Sequence, residues 1–204
     1  FAIALLQRVT FAPPNCKYEE IMKIHTISLL CAAALLSACS TPASLLTASN
    51  EHHDACNNAE LKGQLAEADL ACTQALRTAE QANASPELLS QRQYNLGRIK
   101  RLEGKNAEAE QLYRQALATE EAAQPRSDAR VGRRTVELAS ALAAQGKWQE
   151  GSDYLQRVLP LLPNLSPPSR TYSAGVLRQY AQQLQGGPQA ALGKRFEVVA
   201  ANLK

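Results

Sequence analysis

Aromatic residues and recognisable catalytic motifs are scarce in this chain of 204 residues. Phe, Trp and Tyr make up 5% of it, with one Trp and one Met. The sequence has no run of alternating β-branched residues, which disfavours a β-sheet protein. It also lacks a glycine-rich phosphate loop, an HExxH pair and a nucleophile motif of the strand-turn-helix type. These absences disfavour the common nucleotide-binding, zinc-hydrolase and serine-hydrolase sites, and we expect no enzyme activity and no cofactor.

Charge is nearly balanced, with 22 basic and 19 acidic residues and a net charge of +3. This excess is too small to indicate a nucleic-acid partner. A run of metal-binding residue types occurs at positions 51–54, with two adjacent histidines between Glu51 and Asp54. Adjacent residues on a helix point to different faces, and no Cys or His lies at a supporting spacing. We therefore predict no metal site there.

A pattern of glycine followed by small and apolar residues occurs three times. Five residues after the glycine stands Ala or Gly, nine residues after it a larger residue, and twelve residues after it a small or branched one. The copies are Gly63, Ala68, Cys72 and Ala75; Gly104, Ala109, Tyr113 and Ala116; Gly146, Gly151, Leu155 and Val158. The glycines lie 41 and 42 residues apart. A fixed period in this range predicts an array of stacked helix pairs.

The spacing has a physical meaning. Glycine ends a helix and turns the chain because it adopts positive φ without a Cβ clash. Positions five, nine and twelve then lie on one stripe of the following helix, since residues three and four apart share a face. Small residues at both ends of the stripe allow the two helices to approach closely.

The second copy, preceded by Leu96 and Gly97, resembles the tetratricopeptide repeat (TPR) in its long-period variety found in kinesin light chains. HEAT and armadillo units have periods of about 40–47 residues and TPR units of about 34, so the period alone would favour a HEAT-like array. The placement of Ala and Tyr favours the TPR. The resemblance implies an all-α, right-handed α-solenoid of three to four helix pairs over residues 51–204.

The segment before the repeats is similar to a bacterial lipoprotein signal. Lys23 is followed by a short apolar stretch and by the sequence Leu-Ser-Ala-Cys, which ends at Cys39. This pattern predicts a signal peptide at 22–38, too short for a stable membrane span. It also implies lipidation of Cys39 and a flexible linker at 39–50. Ser40 favours the outer membrane by the family's sorting rule, and an ordinary signal peptide is the alternative.

Residues 1–21 precede a complete signal that begins at Met22, the only methionine. We interpret them as an overextended gene model, with an extended N-terminal region as the alternative.

Two cysteines are left once the leader and Cys39 are set aside. Cys56 and Cys72 fall on the two helices of the first unit, in a compartment that permits disulfides. In the resembled repeat these two positions face each other, which predicts a disulfide across a loop of about 15 residues, worth roughly 3 kcal/mol. Two buried free thiols are the alternative.

The resemblance also implies a binding groove on the concave surface formed by the first helices. Arginine pairs well with carboxylate, which favours an acidic partner segment or a C-terminal carboxylate. A dedicated carboxylate clamp is disfavoured because Gln91 stands where such clamps have Lys. Solvent-exposed helix faces are the alternative. The projected groove positions are Gln91, Tyr94, Asn95, Arg98, Arg101, Arg133, Glu137, Ser140, Arg178, Gln179 and Gln182.

Together these features predict a lipid-anchored protein-interaction module on the periplasmic face of the outer membrane. It would bind an envelope protein as an adaptor or assembly factor. The alternative is an activating subunit of a cell-wall enzyme, or such an enzyme itself.

Overall fold

The computed structural model describes residues 41–203, which form eight α-helices, a 3₁₀ helix and no strand. None of these helices is long and apolar enough to cross a membrane. The α-helices are α1 (Pro42–Leu61), α2 (Leu65–Gln81), α3 (Pro86–Leu102), α4 (Asn106–Ala122), α5 (Asp128–Ala143), α6 (Trp148–Val158), α7 (Pro167–Gln183) and α8 (Ala190–Asn202). The 3₁₀ helix spans Leu159–Asn164.

Successive helices pack as antiparallel pairs, which we number unit 1 (α1 and α2) to unit 4 (α7 and α8). Each unit also contacts the next, through α2 and α3 and through α4 and α5, while α5 also packs on α7. The predicted all-α solenoid is confirmed, with four helix pairs in the described residues.

The three repeated glycines form the turns within units 1 to 3. Gly63, Gly104 and Gly146 have φ of +71°, +78° and +72°, a conformation that other residues rarely adopt. The stripe that follows each glycine is buried, and in unit 2 it is fully so. The spacing therefore predicted both the turns and the face of the second helices.

Helix α1 begins nine residues earlier than the sequence indicated. The predicted linker at 39–50 differs from the structure from Pro42 onward, because Pro42 opens the helix and the Thr41 side chain caps it by accepting from the Ser44 N–H. Ser49, which we assigned to the linker, is fully buried. Its Oγ donates to the Ala75 carbonyl at 2.7 Å. The composition of this segment, rich in Ser, Thr and Ala, suggested a flexible tether. The contact that buries Ser49 involves a residue 26 positions away, which local composition does not reveal.

Other first helices begin with a capping serine, an N-terminal proline or both. Ser85 and Ser127 cap α3 and α5 by accepting from backbone N–H groups, and Pro86 and Pro167 occupy the first positions of α3 and α7. The extra N-terminal segment, the signal peptide and Cys39 lie outside the described residues, so those statements stay predictions.

Candidate functional site

A buried carboxylate, Glu137 on α5, joins three units on the face formed by the first helices. Its side chain is almost fully buried and accepts from the hydroxyls of Tyr172 at 2.9 Å, Tyr94 at 3.4 Å and Tyr113 at 3.5 Å. Arg101 Nε lies 3.3 Å from Glu137 Oε2, an ion pair without ideal hydrogen-bond geometry. These contacts hold α3, α4, α5 and α7 at fixed positions around one charge.

Tyr94 on α3 supports two arginines of the next unit. The guanidinium carbons of Arg134 and Arg133 lie 4.4 and 5.3 Å from the centre of its ring. Such contacts attract a cation to the face of an aromatic ring. Burial, together with the charge of Glu137, raises the pKa of Tyr94, so its hydroxyl stays protonated as a donor.

Of these two arginines, Arg134 is a buried structural residue. It is 1% exposed, its Nε donates to Ser90 Oγ at 3.2 Å, and it lies 3.6 Å from the buried carboxylate of Glu120. Burial, with the nearby charge of Arg133, lowers its pKa to about 10, which still leaves it charged at neutral pH.

A cavity of about 290 Å³ opens beside this cluster, between α3, α5 and the start of α7. We call it the groove pocket. Two tyrosine rings and a proline give it apolar walls, and two arginines stand at its side. Its lining residues are Tyr94, Arg98, Arg133, Val136, Glu137, Pro168, Ser169, Tyr172 and Ser173.

The arginines predicted to bind acidic groups differ in their availability. Arg98 forms an ion pair with Glu60 of unit 1, and Arg101 is committed to Glu137. Arg133 contacts Tyr94 and forms no ion pair among residues 41–203. The groove pocket therefore has one positive charge, that of Arg133, without a carboxylate partner in the described chain.

Asn95, Gln91 and Ser140 complete the predicted set on α3 and α5. Asn95 is buried, and its amide lies 3.3 Å from His53 Nδ1, while His53 Nε2 lies 3.2 Å from the amide of Asn57. His53 is thus held by two amides, and burial, with the charge of Arg92, lowers its pKa. Gln91 is exposed and Ser140 is half-buried.

The three positions predicted on α7 do not join the groove pocket. Arg178, Gln179 and Gln182 are exposed. Arg178 donates to the Ala200 carbonyl of α8 at 3.3 Å, so it lies against the last helix. Val136 occupies the equivalent position one repeat earlier and Tyr94 two repeats earlier, and each contacts a following first helix. The described chain has no such helix after α7, and Arg178 is left at the end of the array.

Sequence reasoning missed the tyrosine that closes the groove pocket. Tyr172 lies on α7, just after the prolines that open that helix, and its role depends on a hydroxyl reaching Glu137 across 35 residues of sequence. No local pattern marks such a contact. Tyr113 was predicted only as a core residue, and its hydroxyl contact with Glu137 was also missed.

In unit 1 the structure brings Cys56 and Cys72 together. Both are 1% exposed, their sulfur atoms are 2.10 Å apart and their Cα atoms 5.2 Å apart. This is the pairing that the sequence predicted between α1 and α2. Its formation in the cell stays a prediction.

Comparisons with known proteins support the fold and leave the function open. No protein-family model matches the chain, and no curated protein does. Two solved structures of a kinesin light chain protein from Podosopora anserina with nearly identical TPR-like repeats are similar. They are each 20% identical, with TM-scores of 0.60 and 0.61, and the alignments cover 81% and 83% of this chain and 77% and 78% of those chains. The glycine turns, the buried small-large-small stripes and this similarity together show that the chain has a TPR-like repeat fold.

Proposed function

We propose that this chain is a lipid-anchored interaction module that binds an acidic segment of an envelope protein in the groove pocket. TPR-like folds generally present surfaces for other proteins, and a stacked array leaves one face of its first helices free. The observation that carries the proposal is Arg133, a guanidinium at a pocket wall with no carboxylate partner in residues 41–203.

The chemistry of the groove pocket favours a carboxylate next to an apolar side chain. Arg133 is held by the Tyr94 ring, so a partner carboxylate meets an oriented fork of donors. The Tyr172 ring and Pro168 provide apolar surface beside it. The negative charge of Glu137 repels a partner carboxylate only weakly, because the ion pair with Arg101 compensates this charge.

The position in the cell follows from the predicted lipid signal. Cys39 would carry the acyl chain, and Ser40 after it favours the outer membrane. The module would then act as an adaptor or assembly factor on the periplasmic face, without catalysis of its own. Metabolic labelling with an alkyne fatty acid tests this: labelling should disappear in Cys39→Ser, and persistent labelling or purely soluble protein would contradict it.

Photocrosslinking in cells tests the groove. A photoreactive amino acid at Ser169, which lines the groove pocket, should capture one recurrent envelope protein. The same crosslink should fall at least about tenfold in Arg133→Glu, because a guanidinium–carboxylate contact is replaced by repulsion.

Arg157→Glu is the matched control. Arg157 also lies over a tyrosine ring, that of Tyr154 at 4.6 Å, and forms no ion pair in the described residues, but it is on α6 outside the groove pocket. Equal loss of the crosslink in both variants, or no loss in Arg133→Glu, would show that the groove pocket is not the binding site.

A further inference from the structure

A second cavity lies at the end of the array, on unit 4. It has a volume of about 200 Å³ and lies between α7 and the start of α8. It shares no lining residue with the groove pocket, and we call it the terminal pocket. Its walls are small or polar: Ala181, Gln185, Gly186, Ala190, Gly193 and the rim residues Lys194 and Glu197.

The equivalent position in unit 3 is filled by a tyrosine from the following unit. Tyr180 of α7 donates its hydroxyl to the Ala139 carbonyl at 2.7 Å. Its ring lies edge-on to Trp148 at 5.1 Å. Gly151 makes room for it, because a Cβ there would overlap the Tyr180 hydroxyl.

Unit 4 repeats this arrangement one period later, but no tyrosine of the described chain fills it. Ala181 stands at the position of Ala139, and Gly193 at that of Gly151. Ala190 stands at the position of Trp148, which leaves more space. All three residues line the terminal pocket.

The acceptor for a hydroxyl is also present. At the end of α7 the Leu184 N–H donates to the carbonyls of Tyr180 and Gln182. The Gln185 N–H donates to the Gln182 carbonyl. Neither donates to the Ala181 carbonyl, which is one of the open carbonyls that a helix end leaves. The volume is sufficient for a ring, since a cavity of about 150 Å³ holds benzene.

Charge indicates what kind of helix would bring the tyrosine. The C-terminal half of α7, together with α8, contains three basic residues against one acid, Glu197; the basic residues are Arg178, Lys194 and Arg195. An acidic partner is therefore favoured at this end. A second copy is disfavoured, because α1, at the other end of the described array, has no aromatic residue, and the tyrosines of residues 41–203 are buried or hydrogen-bonded.

We propose that an acidic helix of a partner protein docks on the end of unit 4, where the first helix of a further unit would pack. It inserts a tyrosine into the terminal pocket, donates the tyrosine hydroxyl to the Ala181 carbonyl and places carboxylates near Lys194 and Arg178. This site is independent of the groove pocket, so either proposal can fail without the other.

The probe is a peptide built on the helix that already makes this contact. It has the sequence of residues 167–183 with Arg170→Glu and Arg178→Glu, and a side-chain staple on its solvent face keeps it helical. Nuclear magnetic resonance of the full-length chain should show saturable shifts at the amides of Gly193 and Ala181. Replacing the peptide's Tyr180 by Phe should weaken binding roughly three- to tenfold, for loss of one hydrogen bond. Replacement by Ala should weaken it further.

Two alanines of α8 provide matched variants of the protein. Ala190→Leu places a side chain in the terminal pocket and should weaken peptide binding at least about tenfold. Ala191→Leu makes the same change at an exposed neighbour outside the pocket and should have no effect. Lys194→Glu should weaken binding of the acidic peptide several-fold without filling the terminal pocket. It therefore tests the charge separately from the packing change in Ala190→Leu.

Three results would overturn the proposal. The first is the absence of saturable shifts at Gly193. The second is equal binding by the Tyr and Ala peptides, or by the Ala190→Leu and Ala191→Leu proteins. The third is self-association in sedimentation that Ala190→Leu abolishes, since a second copy would then occupy the pocket.

Discussion

At the scale of the residue, the packing between units depends on matched sizes at one position. Leu96, Leu138 and Tyr180 stand one period apart on α3, α5 and α7, and all are buried. The preceding second helices offer Ala68, Ala109 and Gly151 at their equivalent positions. Tyr180, the largest residue of the first set, thus packs against Gly151, the smallest residue of the second. Close-packed interiors require this kind of compensation.

Gly151→Ala should therefore destabilise the protein by about 1–3 kcal/mol, because its Cβ overlaps the Tyr180 hydroxyl. Tyr180→Leu in the same chain should remove most of that loss, since Leu138 with Ala109 already forms this pair. Urea unfolding of the single and double variants measures the coupling.

Gly175→Ala is the control for helix propensity. A Cβ at Gly175 meets nothing within 4 Å, so this change in α7 should stabilise the protein by roughly 0.5–1 kcal/mol. If Gly151→Ala behaves like Gly175→Ala, the steric account of Tyr180 is wrong.

At the scale of the element, buried arginines connect α3 and α5 to the preceding unit. Arg92 Nε donates to Ser49 Oγ at 3.1 Å, and Ser49 donates to the Ala75 carbonyl. One repeat later, Arg134 donates to Ser90, which donates to the Ala116 carbonyl at 3.0 Å. The same relay joins three consecutive units.

The two relays differ in what remains when the serine is removed. Ser90→Ala leaves a buried Arg134 nitrogen without its acceptor and should cost about 1–3 kcal/mol. Ser49→Ala should cost less, because Arg92 also donates to Asn50 at 2.6 Å. Chemical unfolding of both variants measures the two losses of stability. An equal loss, or a larger loss in Ser49→Ala, would contradict the relay.

A second link between elements involves the turn of unit 3. Glu110 on α4 accepts from Lys147 Nζ at 2.6 Å, from Gln145 at 2.8 Å and from Arg114. Burial alone would raise the pKa of Glu110, but the hydrogen bonds from Lys147, Arg114 and Gln145 outweigh it, and the pKa is lowered.

A lowered pKa in the folded state gives a defined pH dependence. The Glu110 contribution to stability is fully present above the ordinary carboxyl pKa and is lost as pH falls through the lowered one. Glu110→Gln should therefore be less stable than the parent at neutral pH, and the difference should shrink on acidification toward about pH 3. Unfolding free energies at several pH values measure this, and a gap that does not change with pH would contradict it.

At the scale of the whole molecule, the described array is a row of units in which each depends on its neighbours. Stability in such arrays is nearly a sum of unit and interface terms. Unit 1 contributes one large side chain, Leu76, to its buried cluster; the other two, Leu96 and Ile99, come from α3 of unit 2. Helix α1 buries only Ser49, Cys56 and Ala59. The Cys56–Cys72 disulfide lies in this unit and joins residues 16 positions apart in the sequence.

Cys56→Ser with Cys72→Ser should therefore loosen one end of the array before the rest. We expect a loss of about 3 kcal/mol from unit 1 in the chain-entropy model. Hydrogen exchange should accelerate in α1 and α2 and stay slow in α5 to α8. Reduction of the parent protein should give the same pattern. Uniform acceleration over all units would show that the array unfolds as one cooperative block.

Sequence alone determined the features that depend on neighbours within about four residues. Positive φ at Gly63, Gly104 and Gly146, the caps at Ser85 and Ser127, and the buried stripes follow from local sterics and helical periodicity. Their repetition at a fixed period was enough to predict a solenoid of helix pairs, which the structure confirms.

Tertiary structure decided the features that depend on contacts across units. It placed Ser49 in a helix through a bond to Ala75, paired Arg98 and Arg101 with Glu60 and Glu137, and left Arg133 without a carboxylate. It also showed that the Tyr180 contact in unit 3 has an unfilled counterpart in unit 4 of the described chain. Partners tens of residues apart leave no periodic signal, because which charges meet depends on how the units stack.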